Sequence, residues 1–156
     1  RLLEAIERIP GQDKATKEEQ QEKLAEWVAT VRRSCAELDR AEIADVCLGK
    51  LFSNAPAGED GAWPNEAVRD VMEDLRSEDI SSGAHTGLYN ARGVHWRGEG
   101  GGQERELADK YRVWADTLQF THPFVASSLL MSMVNTYERE AEQHDTEAGI
   151  RRRLRH

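Results

Sequence analysis

Apolar residues recur three and four positions apart along most of this chain, and that spacing places them on one face of an α-helix. The first clear stripe consists of Leu24, Trp27, Val28, Val31, Cys35 and Leu38. A second consists of Leu107, Tyr111, Trp114 and Leu118. A third consists of Ala126, Leu130, Met133, Val134, Tyr137 and Ala141. Charged residues fill many of the positions between them, so the pattern predicts amphipathic helices that share a core.

Short polar motifs predict where several helices begin. Thr16 and the glutamate three residues later form a capping box, in which the hydroxyl accepts an N–H of the first helical turn. Asp39 is also followed by a glutamate three residues later, which predicts a second start directly after the first helix. Ser77 predicts a further cap. Pro123 suits the first turn of a last, long helix, because an N–H has no helical partner there.

The sequence therefore predicts an all-α fold of six or seven amphipathic helices packed as consecutive antiparallel pairs, with an array-like stack as the open alternative. At 156 residues the chain is long enough for one domain to bury a substantial core. The residues expected at the centre of that core are Trp27, Val31, Ile43, Val71, Leu107, Tyr111, Trp114, Leu130, Met133 and Tyr137.

The predicted domain follows a short leading segment. Residues 1–15 are interpreted as the end of an upstream helix and a linker, because Pro10 and Gly11 stop the helical pattern. Residues 16–156 are the helical domain, which contains a structured loop rich in glycine and arginine at 90–102. The chain starts inside a helical pattern and has no initiator Met, so we expect a C-terminal fragment of a longer protein.

Composition narrows the classes of function. The net charge of −8 argues against a broad nucleic-acid interface, which needs a basic face. The sequence has no run of about 18 apolar residues, so no membrane-spanning helix is expected. Cys35 and Cys47 lie on apolar helix faces and are expected to be reduced, which favours a cytoplasmic setting.

Neither a metal site nor a cofactor is expected. Metal ligands usually come in closely spaced pairs. The histidines are scattered, at positions 85, 95, 122, 144 and 156, and the two cysteines are far from the two-residue spacing of zinc motifs.

Residues 83–118 hold seven of the twelve glycines and predict a helix end, an ordered loop and a new helix start. Three interpretations of the loop remain open. In the first it is structural: Asn90 and Gly93 supply left-handed turns, while Val94 and Trp96 anchor the loop on the core.

In the second interpretation the loop binds an anion such as a phosphate or a nucleotide. Glycines that run into a helix start offer free N–H groups, and arginine can bind a phosphate through two parallel hydrogen bonds. The signal is not a P-loop, because no Lys followed by Ser or Thr comes after the glycines. The residues assigned to this candidate site are Tyr89, Arg92, His95, Trp96, Arg97, Gly100, Gly101 and Gly102.

In the third interpretation the loop is catalytic and belongs to a hydrolase that upstream sequence completes. His95 would act as the general base, with Glu99 or Glu104 as its partner. Arg92 or Arg97 would then stabilise negative charge. No nucleophile stands out, so no catalytic residue is assigned.

Several runs within residues 63–154 form a pattern of their own. They are Trp63-Pro64 before Val68, Leu88-Tyr-Asn-Ala-Arg-Gly-Val, Arg97, Gly-Gly-Gln-Glu-Arg-Glu-Leu-Ala at 101–108, and Tyr111. This pattern resembles the closing region of large, functionally uncharacterised bacterial proteins. The resemblance implies a bacterial, cytoplasmic source and a longer parent chain. It implies no activity.

Amphipathic segments without a catalytic constellation predict a non-catalytic interaction or scaffold domain of a larger bacterial protein. Its partners would be other domains of the same chain, a separate protein or a small anionic ligand. Neither a membrane nor a nucleic acid is expected as a partner. Anion or nucleotide binding by the loop and a hydrolase fragment are the two alternatives.

Overall fold

Helices make up the regular structure of the computed structural model, which describes residues 8–92 and 100–156. The elements are α1 (Lys17–Glu37), α2 (Ala41–Phe52), α3 (Glu66–Leu75), α4 (Glu78–Ala91), α5 (Gly102–Leu118), a π-helical segment (Val125–Leu130) and α6 (Met131–Leu154). The π segment continues directly into α6, and the two together are called the last helix below. The predicted all-α class is confirmed.

Two of the predicted helix caps are confirmed and one is wrong. Thr16 accepts the N–H of Glu19 at 3.2 Å, and Ser77 caps α4 in the same way. Asp39 does not cap α2, whose N-cap is Arg40 without a side-chain hydrogen bond. Asp39 instead has a left-handed φ of 55° and lets the Arg40 N–H reach the Cys35 carbonyl at 2.8 Å. The residue therefore ends α1 and does not begin α2.

Glycines allow α2 and α4 to pack with their backbones nearly in contact. A Cβ on Gly49 would lie 2.0 Å from the Ile80 carbonyl oxygen, and one on Gly83 would lie 2.1 Å from the Val46 carbonyl oxygen. Gly83 and Gly87 of α4 therefore admit the neighbouring helix. Contacts advance together along both helices, from Gly83 near Val46 to Gly87 near Ser53, so α2 and α4 run parallel.

The helix pairs differ in order and direction. The last helix packs antiparallel to α5, which precedes it in the chain, since Gly101 contacts Ala141 and Arg112 pairs with Glu138. In contrast, α1 packs mainly on α3, and α2 packs mainly on α4. Residues 38–40 connect α1 to α2, and residues 76–77 connect α3 to α4.

Most of the predicted core is confirmed. Five of its ten residues are buried: Val71, Tyr111, Leu130, Met133 and Tyr137. Four pack against the core while partly exposed: Trp27, Val31, Leu107 and Trp114. The prediction for Ile43 is wrong, because its side chain is 59% exposed. Ala44, Leu48 and Phe52 turn the other side of α2 toward the core, and Ile43 points away from it. Leu38, assigned to the α1 stripe, is also exposed, at 71%.

A buried arginine organises the loop between α2 and α3. Arg69, in α3, is 4% exposed and forms two hydrogen bonds to the Asp60 carboxylate, at 2.7 and 3.0 Å. It also donates to the carbonyls of Ala62 and Pro64. These bonds satisfy most of the guanidinium and fix the loop against the domain.

The last helix begins with a cap from α3 and then widens. The Glu73 carboxylate accepts the N–H groups of Phe124 and Val125, at 3.1 and 3.0 Å, which suits a negative charge at a helix start. The Met131 N–H then bonds the carbonyl five residues earlier, at Ala126, as expected for a π-helix. Such single-turn π segments often lie at functional sites, and this one lies beside a row of polar residues.

The leading segment is only partly described. Residues 1–7 lie outside the described ranges, whereas Ile9 is 4% exposed and belongs to the core. Gly11 has a left-handed φ of 84° and lies against Lys23 of α1. Residues 9–11 therefore pack on the domain, whereas residues 12–15 are exposed.

Candidate functional site: a polar row between α4 and the last helix

A continuous row of polar side chains joins α4 to the last helix. The α4 members follow one another at spacings of three or four residues: Glu78, Ser81, His85, Tyr89 and Arg92 at its C-cap. The members on the last helix are four residues apart: Ser128, Ser132, Thr136 and Glu140. Each set occupies one helix face. We call these nine residues the polar row. Its pairs advance in the same direction on both helices, so α4 and the last helix run parallel.

At the π segment the row consists of hydroxyl groups and one carboxylate. Ser128 Oγ lies 3.0 Å from Glu78 Oε2 and 2.9 Å from Ser81 Oγ. Ser81 is buried, while Glu78 is exposed. These bonds satisfy polar groups that would otherwise be costly between two packed helices.

His85 occupies the middle of the row. Its Nδ1 lies 2.9 Å from Ser132 Oγ, and its Nε2 lies 3.3 Å from Thr136 Oγ1. Burial lowers the pKa of His85 below its ordinary value, because the charged imidazolium loses solvent. Both hydrogen-bond partners are uncharged hydroxyls.

The contact between Ser132 and His85 has the composition of a nucleophile and its base, but its hydrogen bonding differs. Ser132 Oγ donates to the Leu129 carbonyl at 2.7 Å, within its own helix. Thr136 Oγ1 likewise donates to the Ser132 carbonyl at 3.0 Å. A general base needs the hydroxyl proton directed toward it. In this hydrogen-bond pattern the contact between Ser132 and His85 links the two helices.

Arg92 ends the row in a partly buried ion-pair cluster. Its guanidinium Nη2 donates to Glu104 Oε1 at 2.9 Å, and Nη1 lies 3.7 Å from Glu140 Oε2. The guanidinium carbon also lies 5.3 Å from the centre of the Tyr137 ring, within the range of a cation–π contact. The Arg92 side chain is 12% exposed, so it is engaged on several sides at once.

Glu104, in the first turn of α5, stays ionised although its side chain is fully buried. Burial acts to raise the pKa of Glu104. The Arg92 hydrogen bond, a backbone hydrogen bond and the positive charges nearby together lower this pKa by a larger amount. The net result is a pKa below the ordinary value. His144 Nε2 lies 3.9 Å from the same carboxylate and contributes to this lowering. The buried carboxylate is therefore an anion held by a cation.

Tyr89 connects this cluster to the aromatic core. Its hydroxyl donates to Glu140, and its ring stacks on Tyr137 with the ring centres 6.3 Å apart. Tyr137 stacks in turn on Tyr111 at 5.9 Å. Burial raises the pKa of Tyr111 to about 12, so that hydroxyl stays neutral at all ordinary pH values.

The charge balance of the cluster does not favour an anion. One arginine faces two glutamates, which leaves Arg92, Glu104 and Glu140 with a net charge of −1. The N–H of Gly101, one of the amides expected to hold a phosphate, donates to Asp145 Oδ1 at 2.9 Å. A carboxylate of the protein therefore already occupies the start of α5.

The residues assigned to the anion site do not share one environment. Gly101 is a helix-packing residue, because a Cβ there would lie 2.5 Å from the Ala141 backbone. Gly100 has a left-handed φ of 90°, whereas an added Cβ on Gly102 would meet no atom within 4 Å. Tyr89 and Arg92 lie in the polar row. The other three residues assigned to the anion site lie outside the described ranges: His95, Trp96 and Arg97. The anion site as a whole stays a prediction.

The structure describes two residues of the hydrolase site suggested by the sequence, Glu104 and Arg92. Glu104 is buried and Arg92 binds it, which leaves neither residue facing solvent for a substrate. His95 and Glu99 lie outside the described residues, so the hydrolase alternative also stays a prediction.

Only Tyr89 and Arg92 of the polar row were predicted as site residues from the sequence, and the other seven members were not. The sequence carries a signal for three of those seven. Ser128, Ser132 and Thr136 recur every four residues inside a helix that is otherwise apolar on its buried side. A polar residue every fourth position predicts a polar helix face. Its partner on α4 cannot be identified without the tertiary structure.

Within the described ranges, no group of three or more His, Cys, Asp or Glu side chains has a geometry suited to a metal ion. Across the same residues, the helices are too short or too polar to cross a membrane. Cys35 and Cys47 are both free thiols and half-buried.

Comparison of the chain with protein-family models, with curated proteins and with solved structures gives no match. The resemblance to the closing region of large bacterial proteins therefore stays a prediction.

Proposed function

We propose that this chain is a non-catalytic helical interaction domain of a longer bacterial protein, and that it binds a protein partner through the outer face of α2. That face is defined by Ile43, Val46, Cys47 and Lys50, which lie three and four residues apart. The observation that carries the proposal is the exposure of Ile43, at 59%.

The outer face of α2 is unusual because α2 is apolar on nearly all sides. A helix with that pattern is normally surrounded by other elements. Here Gly49 packs on α4 and Leu48 faces the core, while Val46 and Cys47 are only half-buried. Leu38, at the corner between α1 and α2, is also exposed, at 71%. An exposed apolar surface on a helix whose other sides pack in the domain is typical of a protein–protein contact.

The polar row supports the non-catalytic part of the proposal. Arg92, at the end of the row, binds Glu104 of α5, and the hydroxyls of Ser132 and Thr136 donate to helix carbonyls. Such bonding holds α4, α5 and the last helix in fixed positions. A rigid body of this kind presents a surface reproducibly, which is what an interaction domain requires.

The two alternatives receive less support from the described residues. To bind an anion, Arg92 and the Gly101 N–H would have to release the protein carboxylates that they contact and bind the ligand in their place. Hydrolysis would need Glu104 to leave its buried pair. A cytoplasmic setting remains part of the proposal, since half-buried free thiols suit a reducing compartment.

Site-specific photo-crosslinking tests the proposal. A photoreactive residue replaces Ile43 in the full chain, expressed in bacterial cells, and irradiation is followed by mass analysis of adducts. Val113, 62% exposed on α5, provides the matched control position. We expect discrete adducts from position 43 and none from position 113. Equal labelling at both positions, or no adduct at position 43, would overturn the proposal.

A further inference from the structure

Both hydroxyl groups that contact His85 donate to a carbonyl of their own helix. The Ser132 hydroxyl donates to the Leu129 carbonyl at 2.7 Å, and the Thr136 hydroxyl donates to the Ser132 carbonyl at 3.0 Å. Each hydroxyl oxygen still has a lone pair that accepts a hydrogen bond. Ser132 Oγ lies 2.9 Å from His85 Nδ1, and Thr136 Oγ1 lies 3.3 Å from His85 Nε2. The two hydroxyls therefore face the ring as acceptors.

These four contacts need four hydrogen atoms, one for each. The two hydroxyls supply two of them. A neutral imidazole supplies one more, and an imidazolium supplies two. With neutral His85 one contact is therefore left without a hydrogen atom, whereas with protonated His85 all four hydrogen bonds are complete.

The distances identify the contact that lacks its hydrogen atom when His85 is neutral. Three of the four contacts, at 2.7, 2.9 and 3.0 Å, have ordinary hydrogen-bond lengths. The contact between His85 Nε2 and Thr136 Oγ1, at 3.3 Å, is longer than most N–H···O bonds. The neutral ring therefore carries its proton on Nδ1, which donates to Ser132. The Nε2 lone pair then faces the Thr136 oxygen.

We propose that His85 is a proton-responsive link between α4 and the last helix, neutral with its proton on Nδ1 and completed when Nε2 takes up a second proton. The added proton comes from solvent, which reaches the half-buried ring, and it occupies the Nε2 lone pair without breaking another bond. The new N–H then donates to Thr136. Proton uptake thus gives the two helices a second hydrogen bond through the same ring, just after the π segment.

Burial and the hydroxyl acceptors act on His85 in opposite directions. Burial lowers its pKa below 6.5, so the link is completed at acid pH. α2 packs on the opposite side of α4, through Gly83 and Gly87, two residues before and after His85. Within the described residues, the titratable and charged side chains that face the ring along the two helices lie at least three residues from His85 or Thr136. They are Glu78, Tyr89 and Arg92 on α4, and Arg139 and Glu140 on the last helix.

Nitrogen NMR of the full chain, labelled with ¹⁵N in its histidine rings, tests the tautomer. The spectrum of His85→Gln identifies the signals of His85, because they are missing there. At about pH 8 we expect His85 to carry its proton on Nδ1, since the hydrogen bond at one ring nitrogen fixes the tautomer. A proton on Nε2 would overturn the inference.

Thr136→Val tests the second hydrogen bond. This variant keeps the shape of the side chain and removes the acceptor for Nε2–H, so the affinity of His85 for its second proton should fall about tenfold. A merely loosened site would give the opposite result, because solvent would raise the pKa toward 6.5. Thr136→Ser keeps the hydroxyl and should behave like the wild type. An unchanged or raised pKa in Thr136→Val would contradict the link.

Ser132→Ala tests the first hydrogen bond. With Thr136 as the remaining acceptor, the proton of the neutral ring should move from Nδ1 to Nε2. Ser128→Ala is the matched control, since Ser128 lies one turn earlier and bonds Glu78 and Ser81. It should leave the tautomer and the pKa of His85 unchanged. Circular dichroism checks that each variant keeps its helical content. A Ser132→Ala ring that keeps its proton on Nδ1, or equal changes in the control, would overturn the inference.

Discussion

The buried carboxylate of Glu104 accepts a hydrogen bond from the Arg92 guanidinium at 2.9 Å, and this pair holds the start of α5 against the end of α4. The two side chains are 0% and 12% exposed. In such surroundings an ion pair is costly to break, because the remaining charge cannot regain its water.

Arg92→Met should lower the free energy of unfolding by about 3 kcal/mol, since it leaves the Glu104 carboxylate buried without its guanidinium. Urea unfolding at neutral pH measures the change. Arg151→Met, at a position with a 69% exposed side chain, is the matched control and should change stability by less than about 0.5 kcal/mol.

The double variant Arg92→Met/Glu104→Leu should recover much of this loss, because replacing both charges removes the cost of burying one alone. If the double variant were no more stable than Arg92→Met, the ion pair would not be the cause of the loss.

Gly83→Ala should destabilise the protein by about 1–3 kcal/mol, as is usual for an overpacked site. The added methyl group would lie 2.1 Å from the Val46 carbonyl oxygen, so α2 and α4 would have to separate. The same substitution at Gly149, in α6, meets no atom within 4 Å and should stabilise the chain by about 0.5–1 kcal/mol. Thermal unfolding compares the two. Effects of the same sign would contradict close packing of α2 and α4.

Asp60 should make stability depend on pH in the acid range. Hydrogen bonds from Arg69 lower the pKa of Asp60 from 3.8 to about 2. The ionised Asp60 therefore contributes fully to the free energy of unfolding above pH 3.8, and this contribution is lost as the pH falls toward 2. The side chain is 42% exposed, so solvent screening limits the contribution to about 1 kcal/mol. Asp60→Asn should lower stability at pH 7 and flatten the fall between pH 4 and pH 2 in urea titrations. An unchanged slope would contradict this assignment.

His85 should produce a second pH dependence, of the same sign, near neutrality. Burial lowers the pKa of His85 in the folded protein, whereas the unfolded chain keeps a value near 6.5. As the pH falls below 6.5, the unfolded state takes up the proton first, and the folded state loses relative stability. His85→Gln should lose less stability between pH 7.5 and pH 5.5 than the wild type. His156→Gln, at the exposed end of the chain, should behave like the wild type. Equal losses in all three proteins would exclude a lowered pKa for the half-buried His85.

Much of the secondary structure follows from local signals. The three-and-four spacing of apolar residues identified α1, α5 and α6, because a helix of 3.6 residues per turn places such residues on one side whatever their partner is. Thr16 and Ser77 could be assigned as caps because the N–H groups that they bind lie only three residues away.

Local signals were ambiguous where a residue had two possible roles. Asp39 has the sequence context of an N-cap, but the chain uses it as the left-handed residue that ends α1. Ile43 fits an apolar stripe on α2, yet α2 is apolar on nearly every side. Its sequence alone could not show which side would stay exposed.

The sequence by itself determined that the chain forms amphipathic helices, since helix period and capping depend on neighbours a few residues away. The tertiary structure decided which helix faces meet. Arg92 looked like an anion ligand in a sequence rich in glycine, but Glu104 and Glu140 reach it from two other helices. His85 and Ser132 lie 47 positions apart and still share a hydrogen bond. Contacts of that kind depend on the packing of whole helices, which no short stretch of residues specifies.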